Sequence, residues 1–382
     1  MKRFVLHSET QIDNINTYRD YFGDYLFKGT DNFDSTINAL RENQVFKRDI
    51  FHKDLASVLK QEKDTVFNKD TLIVNAFSIE YLVFKDRFLI KNNPHLILDG
   101  ISYLAKILKI SNIDIILRSY YRKEKEILIQ ALADAEDLFY LDTYFKINIY
   151  DETNYNKKID ITFFENNEYV FDLETITQFA YIAHMGSNNF HNYGRSNYKG
   201  SFIVSISGDI LLPNLYEFES GVSFKDIVRI SGNLPKEYSI KCVFLNGFLS
   251  PPISIDDLLS LSLNSGEINL FNGGLCFIEE SRCMLRVVLK ILNYAKVLTT
   301  NVCLISFNGF DLCEFYINRI LIGKSQKKDY LNLVNTLKTI IKLTPSVYIK
   351  AQANCILSTI EMFGYEFVYA IDNKVPMYSF VR

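Results

Sequence analysis

The chain contains no tryptophan, five histidines, six cysteines and seven prolines in 382 residues, and each shortage excludes something. No HExxH, P-loop, GxSxG or GxGxxG pattern occurs. Zinc-peptidase, triphosphatase, serine-hydrolase and simple dinucleotide-fingerprint chemistry therefore have no motif to rest on. Among the histidines (His7, His52, His95, His184, His191) only the last two form a local pair, and without a carboxylate companion a surface pair is a poor metal site. The cysteines Cys242, Cys276, Cys283, Cys303, Cys313 and Cys355 stand at no CxxC spacing, so a zinc ribbon or dithiol motif is excluded and apolar-flanked thiols read as core. No uniformly apolar run reaches the ~18 residues of a membrane span, and the start, MKRFVLHSET, has too short an apolar stretch for a secretory signal. The expectation is a cytoplasmic protein without direct membrane insertion, or one peripheral on a membrane-bound complex. Charge of one sign is also lacking: 42 Lys and Arg against 45 Asp and Glu leave a net −3, spread along the chain, with no basic face for nucleic acid.

What is present is apolar pattern. At 48% hydrophobic the chain can bury a large core. Up to about residue 150, short branched runs (TLIVNAF, IDIILRSY, FKINIY) alternate with helical periods (PHLILDGISYLAKILKI, KEKEILIQALADAEDLFY), which reads as α/β with a largely parallel sheet. A further helix is expected over 172–186, capped by Asp172 and stopped by Gly186. The run SNNFHNYGRSNYKG (187–200) reads as a linker. Beyond it, two strands meeting near Ser207-Gly208, a helix from Ser223 and a strand over 240–247 suggest a small α+β module. From residue 280 the spacing is helical, with helices expected over 280–298, 311–323, 328–343 and 347–364. Three domains follow: 1–190, 191–277 and 278–382.

The segment NAFSIEYLVFKDR (75–87) followed by NNPHLILDGI resembles the flavoprotein subunit of respiratory complex I, the NADH-binding, FMN-bearing subunit, where the pattern is NADExEPGxxKDR and PHLxxEG. Asn75, Ala76, Glu80, Lys85, Asp86 and Arg87 match without a gap, as do Pro94, His95, Leu96 and Gly100. VFDLETITQF (170–179), the module over 201–277, GGLCFIEESRCMLRVVLKILNY (273–294) and LSTIEMF (357–363) are similar to family segments in the same order. The resemblance implies a Rossmann-like flavin-domain shell, a β-grasp (SLBB-like) module and a C-terminal helical bundle. It also implies FMN, NADH and a four-iron cluster as cofactors, and other subunits of a redox or respiratory complex as partners.

The family's cofactor residues are mostly replaced. Its glycine loop GRGGAGFPTG becomes VFKRDIFHKDLASV (45–58), with no glycine between Gly29 and Gly100, although a phosphate cradle of bare amides needs glycine. Two acids become Phe77 and Ser78, and Pro-Gly becomes Tyr81-Leu82. The cluster-ligand positions appear as Thr300, Cys303, Ser306 and Ser346, one thiol where four are needed. The expectation is accordingly a degenerate, non-catalytic structural or assembly subunit without cofactor or 4Fe-4S cluster. Lys47 and Arg48 are expected on a solvated face. The alternative is a diverged oxidoreductase subunit that still holds FMN or NADH through Asn75, Glu80 and Lys85.

Overall fold

A computed structural model describes residues 12–28, 33–64, 71–77, 82–135, 146–151, 154, 169–195, 198–234, 239–263, 270–299 and 303–378. Helices α1 (Ile15–Phe22), α2 (Phe33–Glu42) and α3 (Leu55–Asp64) precede strand β1 (Thr71–Ala76), helices α4 (Lys85–Asn92) and α5 (Pro94–Leu108), β2 (Asn112–Leu117), α6 (Arg122–Asp134), β3 (Lys146–Asp151), β4 (Val170–Asp172) and α7 (Leu173–His191). The four strands form a parallel sheet of order β3-β2-β1-β4. Helix α5 is buried almost all round, as its unbroken apolar sequence requires. It approaches α7 so closely at Gly100 that a Cβ there would lie 2.7 Å from the Ile176 carbonyl oxygen.

The second sheet, β6-β5-β8-β7, joins β5 (Ser201–Gly208), β6 (Asn214–Glu219), β7 (Ile240–Leu245) and β8 (Gly274–Glu279), with β5 and β8 parallel and the other pairs antiparallel. One face packs on α8 (Phe224–Ile230) and α9 (Ile255–Ser260). The other face, through Cys242, Phe244, Cys276 and Ile278, shares a core with the bundle. That bundle comprises α10 (Met284–Thr299), α11 (Leu304–Leu321), α12 (Lys327–Leu343), α13 (Val347–Met362) and α14 (Gly364–Asn373). The chain thus combines a parallel α/β part, a four-stranded mixed-sheet α+β part and a helical bundle. A fourth cluster, Ile73, Phe77, Ile116 and Val170 with Leu249, Phe271 and Tyr348, packs the three parts together. No helix among the described residues is long and apolar enough to cross a membrane.

Several expectations need correction. At Gly186 (φ 74, ψ 172, outside the helical region) the first helical part of α7 ends as expected, and what was not expected is a second helical part that follows it to His191. The supposed linker is tied down, since Arg195 N–H donates to the Ser220 carbonyl and its side chain pairs with Asp226 at 3.1 Å. Helix α11 begins at Leu304 rather than 311, because Asn308 and Gly309 lower helix propensity without ending the helix. His184 is turned toward Asp99 and Tyr18. Its Nε2 lies 2.5 Å from Asp99 Oδ2, which also accepts from the Tyr18 hydroxyl at 2.5 Å, while Asp99 Oδ1 accepts the Leu26 N–H at 2.7 Å. These bonds fasten the N-terminal segment to α5 and α7.

Candidate functional site

The strand order reverses at β1, which pairs with β2 on one side and β4 on the other. In open parallel sheets the crevice beyond the carboxyl ends of two such strands is where ligands bind. Here it is bounded by Asn75 on β1, in register with Asp172 on β4, and by the first turn of α7. The loop between α2 and α3 brings Lys47 and Arg48 to it, and α4 brings Lys85.

The centre is Glu174, fully buried. Its Oε2 accepts from Lys85 Nζ at 2.7 Å, and its Oε1 stands 3.7 Å from Arg48 Nε and accepts the Ile203 N–H at 3.2 Å. Burial pushes the Lys85 ammonium down, but Glu174, Asp172 and Asp86 outweigh it and hold its pKa above the ordinary lysine value. For Arg48 burial prevails over Glu174 and Asp172 and its pKa is lowered. Asp172 caps α7 through the Thr175 N–H at 2.9 Å and accepts from the Thr175 hydroxyl at 2.5 Å. The Arg48 guanidinium stacks on Phe202 at 3.8 Å. Its Nη2 reaches the Ser201 carbonyl at 3.4 Å, while Nε and Nη1 are buried without a hydrogen bond among the described residues.

Lys47 and Arg48 are therefore not a solvated face: both are buried, Lys47 donating to the Val170 carbonyl at 2.9 Å. Lys85 and Arg87 pair with Glu174 and Glu124. Asn75 sits at the crevice, where its Oδ1 accepts the Phe77 N–H at 3.0 Å. Glu80 and Ser78 lie outside the described residues. Phe77 is covered by Arg118, whose guanidinium lies 3.6 Å from the ring centroid. Arg118 was not legible as a site residue, because an arginine just past a strand is ordinarily solvated.

The loop where the family has glycines is not a phosphate cradle of bare amides. Lys47 N–H donates to the Lys53 carbonyl, Arg48 N–H to Thr175 Oγ1 and Asp172, Phe51 and His52 N–H to Asp49 Oδ1, and Leu55 N–H to the Val45 carbonyl. His52 itself takes φ 44 and stacks on Phe46. The residues fit an anionic cofactor group in a different way, through the unsatisfied Arg48 guanidinium N–H groups at the same crevice.

At the cluster-ligand positions, Thr300 lies outside the described residues. Cys303 is the half-exposed N-cap of α11, Ser306 donates to its sulfur at 3.3 Å, and Ser346 caps α13 through the Ile349 N–H.

A parallel sheet with this switch point, a β-grasp-like module and a terminal bundle define a flavoprotein-type shell. Residues 52–161 match the family model described as the Nuo51 FMN-binding domain. An NADH-quinone oxidoreductase subunit of Rhizobium meliloti is 22% identical over 340 residues, 79% of this chain and 80% of that protein. The NADP-reducing hydrogenase subunit HndC of Solidesulfovibrio fructosivorans is 26% identical over 56% of this chain and 44% of its own length. Among solved structures, a chain of an NAD+-reducing NiFe hydrogenase superposes with a TM-score of 0.75 at 18% identity, over 91% of this chain and 64% of that one. The chain is similar in sequence to subunits F of NADH-quinone oxidoreductases and shares the fold of that hydrogenase chain. It spans under half of the HndC relative and under two thirds of the solved hydrogenase chain. The expectation of a shell without cofactor is overturned by this match: the FMN-binding domain model describes residues 52–161, which include NAFSIEYLVFKDR (75–87). The physical reason is that glycine amides are one means of holding a phosphate, and side-chain cations are another.

Proposed function

We propose that this chain is a flavoprotein-like subunit of an NADH-quinone oxidoreductase- or hydrogenase-type complex. It holds FMN or NADH at the β1/β4 crevice by side-chain cations, and its contribution to the complex is structural rather than catalytic. The observation that carries the nucleotide reading is Arg48, buried at the switch point with Nη1 lacking a hydrogen bond among the described residues and Nε meeting Glu174 only as an ion pair at 3.7 Å. A buried guanidinium left with free donors is costly, and a phosphate oxygen would satisfy them. Asn75 and Lys85 complete the binding set, with Glu80 on the adjoining segment, and Asp172 and Glu174 orient the cations. A bound flavin would supply acceptance of an electron pair from a reduced nicotinamide.

The structural role rests on the residues around the crevice. Phe77 stands where the family has an acid and is packed under Arg118, and Glu174 is fully engaged by Lys85 and Arg48, so neither offers a free carboxylate to move a proton. The domain boundaries proposed are 1–190, 191–277 and 278–382.

The test is flavin measured in the supernatant of denatured, natively purified protein, with FMN and NADH titrations of the stripped protein. Arg48→Ala is expected to weaken binding about tenfold or more, the worth of a charge-assisted hydrogen bond. Absence of both flavin and NADH binding in the parent protein would defeat the nucleotide reading. NADH oxidation by the flavin-loaded protein would defeat the structural one.

A further inference from the structure

Helix α11 is apolar on two opposite sides. Ser306, Phe310, Cys313, Ile317 and Ile320 form its buried stripe. At 3.6 residues per turn the side facing away from that stripe carries Leu304, Ile305, Leu312, Phe315 and Ile322, which are between 41% and 75% exposed. On its flanks, Lys296 of α10 pairs with Asp311 and Glu314, and Arg319 pairs with Asp329 of α12. A helix that is apolar all round is ordinarily covered all round, and this one is covered on its inner side alone. The five outward side chains together present on the order of 500 Å² of apolar surface, the size at which a patch on a soluble protein marks an interaction site.

The pattern of the stripe says what covers it. Positions 305, 308, 312, 315, 319 and 322 follow one another at alternating intervals of three and four, the seam of a two-helix coiled coil. Four of them are apolar, while Asn308 and Arg319 are polar. Turning a second copy of α11 end for end about a twofold axis between Leu312 and Phe315 sets Ile305 against Ile322, Leu312 against Phe315, and Asn308 against Arg319. Every apolar position then meets an apolar one, and the guanidinium meets an amide oxygen able to accept from it. The parallel arrangement instead sets Arg319 on Arg319, two like charges in one layer of the seam, which opposes pairing. A stripe complementary to its own reverse fits an isologous contact between identical chains.

We propose that α11 is the interface through which two copies of this chain pair, antiparallel, about a twofold axis between Leu312 and Phe315. Two such patches bury on the order of 1,000 Å² in total, the area at which specific contacts between proteins begin. The pairing is therefore reversible, with a dissociation constant on the order of micromolar.

The test is sedimentation equilibrium of the natively purified full chain over about 1 to 100 µM, a range that brackets such a constant. The mass should rise from one chain to two. Leu312→Glu and Phe315→Lys, each placing a charge on the exposed stripe, should each weaken pairing about thirtyfold or more, as loss of a central interface residue does. An equimolar mixture of the two variants should recover it, because the introduced carboxylate then faces the introduced ammonium in one layer and Leu312 still faces Phe315 in the other. An unchanged urea midpoint shows that each variant is folded; should either fall, Ile305→Lys and Ile322→Asp make the same exchange at the ends of the seam. A single-chain mass throughout, a dimer that survives both single variants, or no recovery in the mixture would overturn the proposal. A single-chain mass together with binding of another subunit of the complex that Leu312→Glu abolishes would overturn it too, and would give the face to that subunit.

Discussion

Replacing Glu174 by glutamine keeps the size of the side chain and its acceptor for the Ile203 N–H, but removes the carboxylate that ion-pairs with both Lys85 and Arg48. At 2.7 and 3.7 Å, attraction at an effective dielectric of ~20 is about 6 and about 4 kcal/mol for the two cations, before the desolvation already paid is set against it. Both cations are nearly excluded from water, so they cannot recover solvation without local opening. The net loss expected is about 3–5 kcal/mol, the range for removing one partner of a buried pair. Urea denaturation should show it as a lower midpoint at unchanged slope. A double variant, Glu174→Gln with Lys85→Met, should regain at least half, since it removes the stranded ammonium too. If Glu174→Gln alone costs less than about 1 kcal/mol, Asp172 or solvent neutralises the cations and the account of the cluster is wrong.

Two further outcomes are expected. Burial, with a smaller unfavourable contribution from Arg19, lowers the His95 pKa from 6.5 to about 4 against the upward pull of Asp134 and Asp13. The unfolded chain then binds the extra proton between those values, so stability is complete above pH 6.5 and is lost as pH falls toward 4, by about 3 kcal/mol at most; denaturation of His95→Gln should lack this slope, and an unchanged slope would show that His95 is not its source. Gly100→Ala gains about 1 kcal/mol of helix propensity but places a methyl 2.7 Å from the Ile176 carbonyl oxygen and 2.8 Å from its Cγ2. Overpacking against backbone should prevail and leave a net loss of about 2 kcal/mol in thermal or urea unfolding; a more stable variant would show that α5 and α7 have room to separate.

The architecture was legible because its signals are local. Branched runs gave β1, β2 and β3, Ser223 marked the start of α8, and apolar positions three and four apart gave α10, α12 and α13. The three helices before β1 went unread, being short and mostly polar, and α14 was missed because it follows α13 without a loop. The site was legible only in part. Asn75 and Lys85 were singled out through the resemblance to the family, and the fold brings Asn75 in register with Asp172 and Lys85 onto Glu174. Arg48 was misjudged because a sequence shows charge but not depth: its partners Asp172 and Glu174 are more than 120 residues away, and its cover, Phe202, belongs to another sheet. Arg118 escaped for the same reason, since only folding brings it over Phe77. The glycine count showed only that this loop has no glycine, and the absence of one binding device says nothing about a second one built from side chains.

The hydrogen bond from Ile203 N–H to Glu174 ties a carboxylate at the crevice to the strand that pairs with both β6 and β8. Phe84 N–H reaches the same strand through Ser205 Oγ at 3.3 Å. Strand β5 thus takes its footing from the very groups that would meet an anion. Drawing Arg48 or Lys85 toward a ligand would loosen their hold on Glu174 and shift the load onto this backbone bond. One carboxylate thus serves both as counter-ion to the two buried cations and as an anchor for the edge where the first sheet meets the second.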